Sequence, residues 1–307
     1  MKNLINIFFA AVLLLGVLAG CGSENSSGSG GSKEITIGAK NFTEQFLLSK
    51  MTVYLLEDAG FTVNEKSGMG STALRKAMTN GQIDAVWDYS GTVLVTYLGK
   101  EPISDPEKAF QKVKEVDKKK NGIIWLNRSD VNNTYALVME KKDADKLGIK
   151  SISDLAAYIN ENPGKLTFGT NAEFANRSDG LPGVEKTYGF EFGVENVKQM
   201  KTGLQYEAIH SDQIDVAMGF STDSRIKKYD LVTLKDDKQF FPVYNAMFGA
   251  NQDVYKKYPK LKEIMKPLAE KLNSDIMRNL NYQVDVKGKS VAVVAKNWLV
   301  ENGLLEK

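Results

Sequence analysis

Glu34-Ile35-Thr36-Ile37-Gly38 and Lys165-Leu166-Thr167-Phe168-Gly169 are two short alternating runs that each end in glycine, and one lies 131 residues beyond the other. The same displacement lays Gln213-Ile214-Asp215 on Gln82-Ile83-Asp84. Between Leu74 and Thr92 it also gives identities at Ala77 and Ser90, with apolar character kept at most strand positions. Two distant segments sharing one offset read as an internal duplication. Each half has a strand that stops at a glycine and, later, a helix, Gln-Ile-Asp and a second strand.

Around the first run, strand and helix alternate. Ile35 and Ile37 fall on one face of a strand over 34–38. The spacing of Leu47, Met51, Tyr54 and Leu55 predicts a helix from Glu44 to Ala59, with Thr43 as N-cap and Gly60 as its stop. A strand near Phe61 to Val63 leads to Gly68-Met69-Gly70-Ser71, then to a helix carrying Leu74, Ala77 and Met78, then to a strand from Ile83 to Trp87. Asp105-Pro106 opens a further helix with Phe110, Val113 and Val116 inward, followed by a strand over 122–126. The expectation is an α/β protein of two lobes, each a mainly parallel sheet flanked by helices. Residues 34–133 with 244–307 form the first lobe and 134–243 the second, joined by two crossovers acting as a hinge. About 275 residues follow the N-terminal segments, near the size at which one core gives way to two.

The N-terminus carries an address. Lys2 precedes an apolar run from Leu4 to Leu18, which ends at Ala19-Gly20-Cys21. This run is too short for a membrane span and reads as a secretory signal over 1–20. Cys21, the only cysteine, is the expected lipidated first residue of the mature chain, and two acyl chains there tether it durably. Gly22 to Ser32 is almost all Gly and Ser, so 21–33 is a flexible leash. The protein is expected outside the cytoplasm, anchored to the cell membrane. Lysines and arginines number 40 against 38 acidic residues, a balance that asks for no nucleic-acid partner. With Cys21 lipidated, no thiol remains for a disulfide, a cysteine-metal site or a cysteine nucleophile. No cofactor or metal is called for, and the default expectation is a monomer.

Under the 131-residue offset, Tyr89 and Phe220 are equivalent. Both sit just past the carboxyl end of a predicted parallel strand, the edge where open α/β sheets place ligands. Tyr135 and Tyr244 fall where the chain passes between lobes and returns. A lone tyrosine usually packs in a core; four aromatics at lobe ends and crossovers instead suggest a box of ring faces, which attracts quaternary ammonium groups without a hydrogen bond. A carboxylate on such a ligand needs basic or donor groups beside the box.

Gly38-Ala39-Lys40-Asn41-Phe42-Thr43-Glu44-Gln45, Asp88-Tyr89-Ser90-Gly91-Thr92, Phe174-Ala175-Asn176-Arg177-Ser178-Asp179-Gly180 and Gly219-Phe220-Ser221-Thr222-Asp223 together resemble the signatures of substrate-binding lipoproteins of osmoprotectant ABC importers. These are the glycine betaine, carnitine and choline receptors of the Opu type, related to the ProX binding proteins. The similarity covers essentially the whole mature chain. It implies the two-lobed periplasmic-binding-protein fold, closing around a trimethylammonium compound and passing it to membrane permease subunits. It puts Tyr89, Tyr135, Phe220 and Tyr244 around the cationic head and Lys40, Thr92 and Arg177 toward a carboxylate. Phe220 departs from the family's more usual tyrosine, keeping the π face and losing a hydroxyl. Choline-restricted relatives carry an acidic residue at the Thr92 position, so a neutral threonine points to several zwitterionic osmolytes.

Blander roles stand beside these. Lys40 can be an exposed lysine past a strand end, Arg177 an ion pair with Asp179 or Glu173, and Thr92 a helix cap. Gly68-Met69-Gly70-Ser71 either meets an anion at a helix N-terminus or is only a turn. His210, the single histidine, falls on a helix away from the strand ends. Asp84, Asp88, Asp215 and Asp223 lie near the cleft edge and keep an acid/base enzyme open as a rival class, but no triad or zinc spacing accompanies them. An adhesive lipoprotein, the third class, needs no closed site.

Overall fold

The structure, a computed structural model, describes residues 33–306. The signal segment, Cys21 and the tether as far as Ser32 lie outside the described residues. Lys33, read from sequence as tether, is the first residue of strand β1 (Lys33–Lys40), where Ile35 and Ile37 are fully buried. β1 pairs in parallel with β2 (Phe61–Met69) on one side and β3 (Ala85–Tyr89) on the other. After β4 (Ile123–Asn132) the chain crosses to a second sheet, made of β5 (Tyr135–Glu140), β6 (Phe168–Thr170), β7 (Val197–Gln199), β8 (Val216–Phe220) and β9 (Leu231–Thr233). It then returns as β10 (Asn245–Asn251), inserted between β3 and β4.

The sheet orders are β2-β1-β3-β10-β4 and β7-β6-β8-β5-β9. β10 runs antiparallel to both neighbours, as does β5. Four strands in each sheet therefore share one direction, and the reversed one is the strand entered straight after a crossover. Sequence alternation shows the parallel part well, but a single reversed strand leaves no periodic signature.

The duplication extends to atoms. Ile37 and Gly38 pair with Ala85 and Val86 in the first sheet, and Phe168 and Gly169 with Val216 and Ala217 in the second, the same offset throughout. Asp84 Oδ2 accepts from the Thr36 amide at 2.7 Å, and Asp215 Oδ2 from the Thr167 amide at 2.8 Å. These aspartates tie the start of one strand to its neighbour, a structural duty in both halves. Gly38 and Gly169 do not end their strands, which run on to Lys40 and Thr170, but lie against Ile83 and Ile214, whose side chains fill the space a Cβ would need.

Alternate residues of each strand feed cores on opposite faces. Ala85, Trp87 and Tyr89 of β3 pack with helix Thr43–Asp58 and the C-terminal helices, and Val86 packs with Leu74, Phe110 and Trp125 beneath. Trp87 Nε1 donates to Thr52 Oγ1 at 2.8 Å, which satisfies the one polar atom of a buried indole. Thr43 is the first helical residue rather than the N-cap; Phe42 holds that place without a side-chain bond, and the Thr43 hydroxyl donates to Asp285. Asp105 does cap its helix, accepting from the Lys108 amide with Pro106 behind it. The two crossovers run side by side: the Asn133 amide donates to the Tyr244 carbonyl at 3.0 Å and the Tyr244 amide to Asn132 Oδ1 at 2.8 Å. Among the described residues no helix is long and apolar enough to cross a membrane.

Candidate functional site

Between the carboxyl ends of the two sheets lies a cavity of about 310 Å³. Its walls repeat the duplication. Lys40, Asn41 and Phe42, at the end of β1 and just past it, face Asn171, Ala172 and Glu173, just past β6. Gly70-Ser71 after β2 answers Lys201-Thr202 after β7, and Tyr89 at the end of β3 answers Phe220 at the end of β8. Asn133, Tyr135 and Tyr244 of the crossovers close the back, with Thr92 beside them.

Tyr89, Tyr135, Phe220 and Tyr244 are thus brought together, with Phe42 completing the series. Phe42 stacks on Phe220 with ring centroids 5.6 Å apart and lies 6.2 Å from Tyr89. Tyr135 lies 5.3 Å from Phe220 and 5.3 Å edge-on from Tyr244. Phe42 lies within a sequence motif that assigns it no role, although the rule that points to Tyr89, a ring just past a strand end, applies to it equally. Glu173, its equivalent in the second half, carries in sequence only the role of a partner for Arg177.

The polar residues divide. Lys40 lies on the cavity but is not exposed: only 4% accessible, it donates to Asp88 Oδ1 at 2.6 Å and sits 5.2 Å from the Tyr89 ring centroid. Thr92 lines the wall as the first residue of a single π-helical turn, Thr92–Tyr97, without a side-chain cap bond. Arg177 stands behind the wall, and its guanidinium is engaged. Nε and Nη2 hold both oxygens of Asp179 at 2.7 and 2.6 Å, Nη1 holds Glu173 at 2.7 Å, and Tyr135 lies against its face at 5.5 Å. Asp179 in turn accepts from Tyr244 Oη at 2.7 Å. The arginine therefore positions Tyr135 and Tyr244, and direct reach to a ligand carboxylate is taken up by its own acids.

Electrostatics follow from burial. Burial works against the Glu173 charge, but Lys40 and Arg177 outweigh it and hold its carboxyl below the usual 4.5. Burial raises the Tyr135 phenol well above its ordinary value, with Arg177 opposing, and raises Tyr89 and Tyr244 too. All three rings stay neutral and keep their π faces. Burial also pushes the Glu44 carboxyl above 4.5, opposed by hydrogen bonds from Tyr89, Thr222, Asn133 and Asn281.

The remaining carboxylates of the cleft edge are occupied. Asp88 takes Lys40 and the Tyr97 hydroxyl, and Asp223 grips Arg225 through both oxygens. Gly70 precedes the helix Ser71–Thr79, so the start of that helix opens on the cavity. His210 ends the helix Gln205–His210, 3.1 Å from Glu140 and stacked on Tyr229, away from the cavity.

Residues 33–301 match the family described as the substrate binding domain of ABC-type glycine betaine transport systems. The glycine-betaine-binding protein of Pseudomonas aeruginosa is 36% identical over 299 residues, covering 96% of each chain. The carnitine transport binding protein OpuCC of Listeria monocytogenes is 37% identical over 311 residues, covering 99% of this chain and 98% of its own. A crystal structure described as a glycine betaine/carnitine/choline ABC transporter superposes with a TM-score of 0.70 at 34% identity, over 89% of this chain and 99% of the other.

Proposed function

This chain belongs to the family of substrate-binding domains of ABC-type glycine betaine transport systems, and from that premise we propose that it captures quaternary ammonium osmoprotectants such as glycine betaine, carnitine and choline. The observation that carries the proposal is the grouping of Phe42, Tyr89, Tyr135, Phe220 and Tyr244 on one cavity. Neutral ring faces there suit a cation whose methyl groups offer no hydrogen bond. A ligand carboxylate would meet Lys40, Thr92 and the start of the helix at Ser71, where free backbone amides favour an anion. Residues 34–133 with 244–307 and residues 134–243 form the two lobes of this reading, closing about the paired crossovers. Cys21 carries the lipid anchor, and the loaded monomer is handed to permease subunits.

One observation favours a second reading. Glu173 places an anion on the cavity wall, which suits choline, a net cation, better than a zwitterion. Isothermal titration of the chain from Lys33 onward with glycine betaine, carnitine and choline at fixed salt separates the two. Saturable one-to-one heat from betaine and carnitine supports the broad receptor. Heat from choline alone supports the restricted one, and no heat from any of the three sinks the cage assignment.

A further inference from the structure

Glu44 is 2% exposed, on the first turn of helix Thr43–Asp58 behind the aromatic wall. Its four partners come from four separate parts of the chain. Oε1 accepts from Tyr89 Oη at 2.6 Å and Asn133 Nδ2 at 2.9 Å; Oε2 accepts from Thr222 Oγ1 at 2.7 Å and Asn281 Nδ2 at 3.4 Å. All four are neutral. Among the described residues no ion pair includes Glu44; those nearby join Lys40 to Asp88, Arg177 to Asp179 and Glu173, and Arg225 to Asp223 and Asp285. Four donors around two oxygens favour the ionised form, against the burial that opposes it.

Burying a carboxylate without a cation is costly on the scale of a small domain's margin of stability. Two of its donors, Tyr89 and Asn133, line the cavity. Because Asn133 Nδ2 is fixed on Glu44, its carbonyl oxygen Oδ1 is turned away from the acid, buried and without a hydrogen-bond partner. A phenol donating to a carboxylate carries more electron density on its ring, and that ring faces the cavity. The ionised form of Glu44 places its charge one hydrogen bond behind the wall, in a medium that screens it weakly.

We propose that Glu44 is the positioning and electrostatic residue of the cation site, its charge acting through Tyr89 and Asn133 to select a cationic headgroup over a neutral one of the same shape. This rests on the quaternary ammonium reading above. The cation that Glu44 lacks in the protein is supplied by the ligand.

The test compares glycine betaine with 3,3-dimethylbutanoate, which replaces the ammonium nitrogen by carbon and keeps the carboxylate, each titrated in competition against the full chain. In Glu44→Gln the betaine-to-isostere affinity ratio falls about tenfold or more, the size expected of one charge several ångström from a cation in a protein interior. Equal losses for both ligands would make Glu44 a packing residue and overturn the proposal. Combining Glu44→Gln with Asn281→Asp returns one buried negative charge to the same pocket and gives the new amide an acceptor. That variant recovers the ratio; a folded double variant whose ratio stays low also overturns the proposal. Wild-type protein that binds neither betaine nor choline would remove the cage reading itself, and the Glu44 assignment with it.

Discussion

Tyr135 touches Phe220 and Tyr244 and lies beneath the Arg177 guanidinium, so Tyr135→Ala opens the cage at its most connected ring. Titration should show every quaternary ammonium ligand weakened by about 30-fold or more, the worth of a desolvated cation–π face. Lys40 and Arg177 should then behave differently from each other. Lys40→Met is expected to weaken betaine and carnitine more than choline. Arg177→Ala leaves Asp179 buried and unpaired, so it should weaken all three alike and lower stability by about 3 kcal/mol or more in thermal unfolding. A carboxylate-selective loss in Arg177→Ala would return that residue to the ligand. Gly91 offers a finer probe: a Cβ there would lie 2.7 Å from the Tyr244 ring and 2.9 Å from the Val243 carbonyl. Gly91→Ala should therefore displace Tyr244 and lower affinity by more than it lowers stability. The position of Tyr89 and Phe220 was legible because duplication and strand ends both point to it. The engagement of Arg177 was not, since Asp179 and Glu173 competed for it with a hypothetical ligand, and only geometry decides between them.

At the scale of elements, the paired aspartates are the clearest trace of duplication, because each replaces a missing backbone partner at the start of a parallel pairing. Asp84→Ala and Asp215→Ala should each cost about 1 kcal/mol in denaturant unfolding, the half-buried Asp84 more than the exposed Asp215. Being in separate sheets, their costs should add in the double variant. Long amphipathic helices and the runs of β1 and β3 were readable from periodicity and caps. β6, β7 and β9 are three residues each, too short for any period to show. The turn at Thr92–Tyr97 is π-helical, a local geometry that tertiary packing selects and propensity does not announce.

For the molecule as a whole, Glu173 brings a charge from the second sheet's side of the cavity toward Lys40 on the first. Its folded carboxyl ionises below 4.5, so the folded chain holds fewer protons there than the unfolded chain and this contribution to stability is complete above about 4.5 and lost as acid protonates it. The gap in unfolding midpoint between wild type and Glu173→Gln should be full at neutral pH and shrink below that value; a gap unchanged in acid would deny the ion pairing. The insertion of β10 between β3 and β4 has a different reach. Strands β5 to β9 are contiguous in sequence, so their sheet can assemble from local encounters, whereas in the first sheet β3 and β4 have no strand between them until residues 245–251 arrive. Closing that loop across the whole intervening segment is slow. Refolding from denaturant should accordingly run in two phases, with the edges of β3 and β4 open to stray pairing in the interval, and a chain stopped short of Asn245 should aggregate before it folds.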